Sequence, residues 1–222
     1  MFYLDVLGQW TIKVGTKLNN NIVVVDLDGT FVSVNTFHKW IKFLFIEEVK
    51  HIHFSSVFQI LRIISMRYLK LINHSEMKFK ILKISEQAIN EKQIITFVQS
   101  LHKYVNHDVL TFIKSKPSTT ILATAAPLLY AEKFKDIYSF QYILATPYTG
   151  GDNWEENIRD IKKRNLISLL KTYGLNQQVS IFFTDHYDDL PIMKYADLTY
   201  LINPNDKTIN LTKKENISCD SF

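Results

Sequence analysis

The sequence predicts an α/β protein: a doubly wound, Rossmann-like parallel sheet with a helical cap subdomain inserted after the first strand. Three observations predict it. Short apolar runs without polar alternation recur along the chain, as central strands covered on both faces require. From residue 118 onward, helical periodicities separate these runs, which is the signature of βαβ units. Between the first run and the second lie roughly ninety residues of helical periodicity, far more than a crossover of about a dozen residues.

The first strand is Ile22-Val23-Val24-Val25, apolar and β-branched throughout. In the insertion, Val57, Ile60, Leu61, Ile64 and Tyr68 fall on one helical stripe, and Ile94, Phe97, Val98 and Leu101 on another. Trp40, Phe43, Phe45, Phe54 and Phe58 are expected in the insertion's core, with one or two left to line a substrate entrance. Later strands are expected at Thr120–Ala123, Tyr142–Ala145, Val179–Phe183 and Leu198–Leu201. Pro127 opens a helix reaching Lys135. A second helix, spaced on Ile158, Ile161, Leu166, Leu169 and Leu170, stops at Gly174. A shorter one covers Leu190–Tyr195. Residues 1–20, with weak alternation at Trp10, Ile12 and Val14, form an extension. The expected division is 1–20 extension, 21–32 and 116–210 core, 33–115 cap and 211–222 tail.

The chain has 222 residues, 46% hydrophobic and 22% charged, which suits one globular domain or a core domain plus a smaller insertion and argues against a disordered chain. The single Cys219 excludes a disulfide framework and a cysteine-based zinc site, and it points to a reducing compartment. The first ten residues lack the basic n-region of a signal peptide, and no apolar run reaches bilayer length. Cytoplasmic residence is the expectation. The net charge of +4 is unevenly spread: Lys39–Lys83 holds nine Lys/Arg against three Glu, a local +6. Three readings are open: a solvated helical face, attraction of an anionic substrate, and contact with a membrane surface. No nucleic-acid partner is expected.

Three of the strands end in polar signatures: Asp26-Leu27-Asp28-Gly29-Thr30, Thr124-Ala125-Ala126-Pro127, and Asp185-His186-Tyr187-Asp188-Asp189. In an open parallel sheet, ligands bind beyond the carboxyl ends of the strands, so these termini are expected to converge. Asp26, Asp28, Asp185 and Asp189 together would repel strongly unless a cation neutralised them. Oxygen ligands without a His or Cys pair favour a hard ion, magnesium first.

These segments resemble the ordered motifs of the haloacid dehalogenase superfamily, in its phosphoserine-phosphatase-like branch. DLDGT at 26–30 resembles the first motif and Thr124 the second. Lys162, ahead of Asp185, resembles the third. TDHYDDLPIM at 184–193 resembles the fourth, and LINP at 201–204 the strand after it. The resemblance spans about residues 21–204. It implies that Asp26 is the nucleophile and that Asp28 is the acid and base. It also implies magnesium (Mg2+) on the Asp26 carboxylate, the Asp28 backbone carbonyl and Asp185. Thr124 and the Ala125 N–H would bind phosphoryl oxygens, and Lys162 would neutralise them. Asp189 would be tied to Lys162 or to a metal-bound water. Superfamily members that cleave C–halogen bonds lack the second aspartate, so the pair implies phosphoryl transfer. Lys163 and Arg164 point about 100° and 200° away from Lys162 on a helix, so only one of the three faces a site.

Two positions depart from the pattern. Asp188, expected among the substrate-binding residues, stands where the relatives usually carry Asn. Asn35 stands where phosphoserine phosphatases carry an acidic residue for the substrate amine. A phosphatase acting on a different small phosphorylated metabolite is therefore expected. The alternatives are a phosphotransferase, or an enzyme acting on a lipid-linked phosphate at a membrane surface. A non-enzymatic scaffold would have no use for clustered like charges.

Overall fold

All four residues of β3 (Ile22–Val25) are buried, as the unbroken apolar run requires. The computed structural model describes residues 3–4, 10–11, 21–115, 118–150 and 154–222. Within these, β1 (Tyr3–Leu4) and β2 (Trp10–Thr11) pair antiparallel with each other. Ile12 and Val14 of the expected alternation lie outside the described residues. After β3 come α1 (Thr36–Lys50), α2 (Phe54–Tyr68), α3 (His74–Ala88), α4 (Glu91–Ser100) and α5 (His107–Ser115). The chain then alternates: β4 (Thr119–Pro127), α6 (Leu128–Ala131), α7 (Lys133–Tyr138), β5 (Tyr142–Thr146), α8 (Arg159–Thr172), β6 (Val179–Thr184), α9 (Leu190–Met193), β7 (Ala196–Leu201), α10 (Asp206–Lys214) and β8 (Cys219–Ser221).

The second sheet has six strands in the order β5–β4–β3–β6–β7–β8, all pairs parallel. Val24 sits opposite Ile121 of β4 and Phe182 of β6. The chain leaves β3 toward β4 and β5, then returns to the other side through β6, so the switch point lies beside β3. Strand alternation splits the core between the two faces. Val23, Val25, Leu122 and Phe183 pack with the helices from α1 to α7, whereas Ile22, Val24, Ile121 and Phe182 pack with α8 and α9.

The helical segment shares the first of these cores. Trp40 of α1 is fully buried against Phe97 and Tyr130, and its indole N–H donates to Ser85 Oγ at 2.9 Å. Asn73 and Asn90 cap α3 and α4 in reciprocal boxes with Glu76 and Gln93. The two connections to the sheet are tied together: Ser33 N–H donates to Tyr104 O at 2.9 Å and Asn106 N–H to Phe31 O at 2.8 Å.

Four expectations are corrected. Phe54 and Phe58, expected in the core, are 74% and 70% exposed. Of the expected α2 stripe, Ile60 is buried while Leu61, Ile64 and Tyr68 face outward, because α2 rests on its neighbours through Ile60 and Ile63 alone among its buried residues. The expected Pro127–Lys135 helix is two helices, with Pro127 closing β4 and capping α6. The expected tail from 211 begins inside α10 and ends in β8, which pairs with β7. Phe222 packs its ring on Phe183 and Tyr200, which holds that end on the sheet.

Candidate active site

The turn after β3 is built from its own backbone. Leu27 O accepts from Val32 N–H at 2.8 Å and Asp26 O from Phe31 N–H at 3.2 Å, while Gly29 N–H donates to Val32 O at 2.8 Å. Gly29 takes φ +81°, a conformation side chains rarely adopt, and a β-carbon there would also overlap the Asp185 carboxylate. The glycine thus brings the turn after β3 against Asp185, the residue that follows β6. Thr30 Oγ1 lies 3.5 Å from Asp26 Oδ2 and 3.4 Å from Asp185 Oδ1, between the two carboxylates.

Lys162, on the first turns of α8, is the buried counter-ion. Its ammonium donates to Asp26 Oδ1 at 2.7 Å and to Asp189 Oδ1 at 2.8 Å. Asp189 is held from the other side by the Thr184 hydroxyl at 2.8 Å. Lys163 and Arg164 face elsewhere, Arg164 pairing with Glu155. Burial pulls the Lys162 ammonium down, but Asp189 and Asp26 outweigh it and hold the pKa above its ordinary value. Burial raises the Asp26 carboxyl to about 8 against the pull of Lys162, with Asp189 and Asp185 adding repulsion. Asp185 is pushed up to about 6, again first by burial.

The Asp28 carboxylate accepts the Thr36 N–H at 2.8 Å, at the start of α1, while lining the same cavity as Asp26, Asp185 and Asp189. The opening amides of a helix carry partial positive charge and attract the group. Burial still raises the pKa of Asp28, with the Thr36 hydrogen bonds opposing. Among the described residues no three His, Cys, Asp or Glu side chains are arranged to hold a metal ion. Asp26, buried, and Asp185, half-buried, both reach the Thr30 hydroxyl and have elevated pKa values, which marks a site deficient in positive charge. Oxygen donors of this kind fit magnesium, which is bound through one or two carboxylates and keeps its remaining ligands as water or phosphate oxygens.

At the end of β4 the pairing with β5 slips between Ala123 and Pro127, freeing residues 124–126 from that ladder. The Thr124 hydroxyl accepts from Ala126 N–H at 3.0 Å, so its own proton is available to a ligand. A cavity of about 230 Å³ is lined by Asp26, Asp28, Thr124, Ala125, Lys162, Asp185, Asp188 and Asp189, every residue singled out from the sequence. Asp188, out of place by its motif, is neutralised by Arg159 at 2.8 Å. Asn35 and His186 also line the cavity; Asn35 caps α1 through the His38 N–H.

Two residues escaped the sequence reading. Asn157 is buried and donates to Thr124 O at 2.9 Å and Leu144 O at 3.1 Å, joining the ends of β4 and β5 ahead of α8. Lys78 of α3 is buried, donates to Ala125 O at 3.1 Å and pairs with Glu156. Neither has a local signal: Asn157 precedes its helix without capping it, and Lys78 sits in a run of lysines.

The model of the haloacid dehalogenase-like hydrolases matches residues 23–194. No curated protein matches the sequence. The fold is similar to a solved protein of unknown function from Bordetella pertussis Tohama I, at TM-score 0.72 and 15% identity over 91% of this chain and 99% of that one. It is also similar to a phosphoserine phosphatase solved as a phospho-aspartyl intermediate analogue, at TM-score 0.52 and 14% identity over 91% and 94%. A phosphoserine phosphohydrolase-like protein from Francisella tularensis matches at TM-score 0.51 and 18% identity over 90% and 94%. With a parallel sheet of this order, the cavity at the ends of β3, β4 and β6, and a family match over residues 23–194, the chain belongs to the haloacid dehalogenase-like hydrolases.

Proposed function

We propose that the chain is a magnesium-dependent phosphatase that hydrolyses a small phosphomonoester through a phospho-aspartate on Asp26. The observation that carries this reading is the Lys162 bridge: one ammonium holds Asp26 Oδ1 and Asp189 Oδ1, while Asp26 Oδ2 stays on the Thr30 and Asp185 side. A carboxylate fixed at one oxygen is oriented for in-line attack by the other. Asp26 forms a bond to phosphorus as the ester P–O bond breaks, and the electron pair leaves with the alkoxy oxygen. Asp28, with its raised pKa, gives that oxygen its proton. Asp28 then takes a proton from the water that attacks phosphorus, and the Asp26 carboxylate is released with inorganic phosphate.

The Thr124 hydroxyl, the Ala125 N–H and Lys162 would receive the phosphoryl oxygens. Asp26 and Asp185, with the Asp28 backbone carbonyl, would hold magnesium, which neutralises phosphoryl charge when bound. Asp188, balanced by Arg159, borders the substrate. Residues 33–115 serve in this reading as a cap; Asn35 in the cavity lining and the paired connections at 31–33 and 104–106 support it. The lone cysteine fits a reducing cytoplasm.

The test is phosphate release from p-nitrophenyl phosphate and a panel of phosphorylated metabolites, with magnesium and with chelator. Release that requires magnesium and Asp26 supports the reading; release unchanged by chelator contradicts it.

A further inference from the structure

The described residues leave an apolar face uncovered on α2. Ten of the twelve large hydrophobic residues that are most exposed lie between Ile46 and Leu71. On α2, Phe54, Phe58, Leu61 and Tyr68 fall within an arc of about 80° at 100° per residue, with the buried Ile60 and Ile63 on the opposite side. A helix apolar on both sides is covered on both sides in an ordinary core. Here the outer side is bare, with Tyr68 86% exposed. Patches of this kind mark interaction surfaces.

The charge around the patch selects the partner. From His51 to Asn73 the chain holds Arg62, Arg67 and Lys70 and no acidic residue. A groove of about 260 Å³ between α2 and α3 is lined by Arg62, Lys80 and Lys83, again with no carboxylate in its lining. Among the described residues none of these three forms an ion pair with a carboxylate. A second copy of the chain would set this cationic face against itself with nothing to neutralise it. An apolar ridge flanked by unpaired cations instead matches an anionic lipid surface: the ridge enters the headgroup boundary and the cations meet phosphates. No helix among the described residues is long and apolar enough to cross a membrane, so α2 would lie in the surface plane.

The patch is connected to the cavity. α2 packs on α1 and on α3, and Asn35, which caps α1, lines the cavity. α3 follows directly, with His74 against Phe37 and Lys78 on Ala125 O. We propose that the outer face of α2, with Arg62, Lys80 and Lys83 beside it, docks on an anionic bilayer. On the reading of the site as a phosphatase, the substrate is then a phosphomonoester carried by a membrane lipid.

Cosedimentation with vesicles tests docking without reference to catalysis. With about 40% phosphatidylglycerol in phosphatidylcholine, wild-type protein is expected in the pellet at low salt and in the supernatant at high salt, and pure phosphatidylcholine should not bind it. Phe54→Ser/Phe58→Ser and Arg62→Gln/Lys83→Gln should each reduce partitioning roughly tenfold or more, with p-nitrophenyl phosphate turnover unchanged. Absence of wild-type protein from the anionic pellet, or equal partitioning by the variants, overturns the proposal. So does a dimer in sedimentation velocity that Phe54→Ser/Phe58→Ser dissolves. Phosphate release from dioleoyl phosphatidate in the same vesicles should fall with Phe54→Ser/Phe58→Ser, and equal release overturns the substrate assignment. An enzyme inactive on every phosphomonoester but still bound to vesicles would reject the catalytic reading and leave docking standing.

Discussion

Gly29 faces the Asp185 carboxylate so closely that a β-carbon on Gly29 would overlap Asp185 Oδ2 and Cγ. Gly29→Ala therefore acts twice. At φ +81° it strains the turn by about 1 kcal/mol or more, and it displaces Asp185 from its place beside Asp26. Activity should fall by roughly a hundredfold, with a higher magnesium concentration for half-activation. A magnesium titration of the variant checks this, and an unchanged half-activation point would reject Asp185 as a metal ligand.

Asp26→Asn keeps the shape of the nucleophile and removes its charge. Turnover of an aryl phosphate should drop by roughly a thousandfold or more, since the amide cannot form the phospho-aspartate. The variant should not lose stability in chelator, because burial and two neighbouring carboxylates already disfavour the ionised Asp26. Thermal unfolding beside the rate measurement separates the two effects. Retained activity would remove Asp26 from the nucleophile's role.

The sheet was legible because its strands carry continuous apolar runs, and the cavity because most of its residues stand in three short motifs at the ends of those strands, with Lys162 added from α8. What escaped the sequence reading depends on side-chain direction. DLDGT reads the same wherever the Asp28 carboxylate finds its hydrogen-bond donor, and the Thr36 N–H that supplies it lies eight residues on, outside the motif. Phe54 and Phe58 have the spacing of core residues, yet α2 presents Ile60 and Ile63 inward, and spacing cannot tell which apolar side of a helix is covered. β8 covers three residues, Cys219–Ser221, too few for any period to show.

Asp28→Asn preserves an oxygen for the Thr36 N–H and so leaves α1 anchored. It removes the proton donor, and the need for that proton grows with the basicity of the leaving oxygen. Turnover of an alkyl phosphate should therefore fall roughly tenfold more than that of p-nitrophenyl phosphate. Asp28→Ala should also lose the hydrogen bond from the Thr36 N–H, about 1 kcal/mol. Equal losses for the two leaving groups would show that Asp28 supplies no proton to either.

Arg159 neutralises Asp188 at the rim of the cavity, at 2.8 Å. Asp188→Asn removes both the charge and the need for its partner, so activity should stay within about threefold of wild type. Arg159→Gln leaves the negative charge bare beside the phosphoryl group and should lower kcat/KM by about fivefold, an effect near 1 kcal/mol. The double variant should recover most of that loss. If Arg159→Gln costs the same with Asp188 absent, Arg159 acts on the substrate directly.

The site's carboxylates also set how stability responds to pH. Asp26 and Asp185 rise from 3.8 to about 8 and about 6, chiefly through burial. A folded-state pKa above the unfolded one means that the folded protein holds protons the unfolded chain has released. Their contribution to stability is fully present below about pH 4 and is lost as pH rises through 6 and then 8. In chelator, the thermal midpoint should therefore fall between pH 5 and pH 8. Magnesium binds the ionised carboxylates, so its stabilising increment should grow over the same interval. Glu47 and Glu91, whose pKa values are lowered by hydrogen bonds from Lys50 and Lys133, work in the opposite direction, but their contribution is lost only at acid pH below their ordinary pKa of 4.5. Scanning unfolding at several pH values, with chelator and with magnesium, measures both trends. In Asp26→Asn the loss between pH 6 and 8 should largely disappear, because the group that ionises there is gone. A wild-type midpoint that rises from pH 6 to 8 in chelator would mean that Lys162 keeps Asp26 ionised throughout, and the magnesium increment would then be independent of pH.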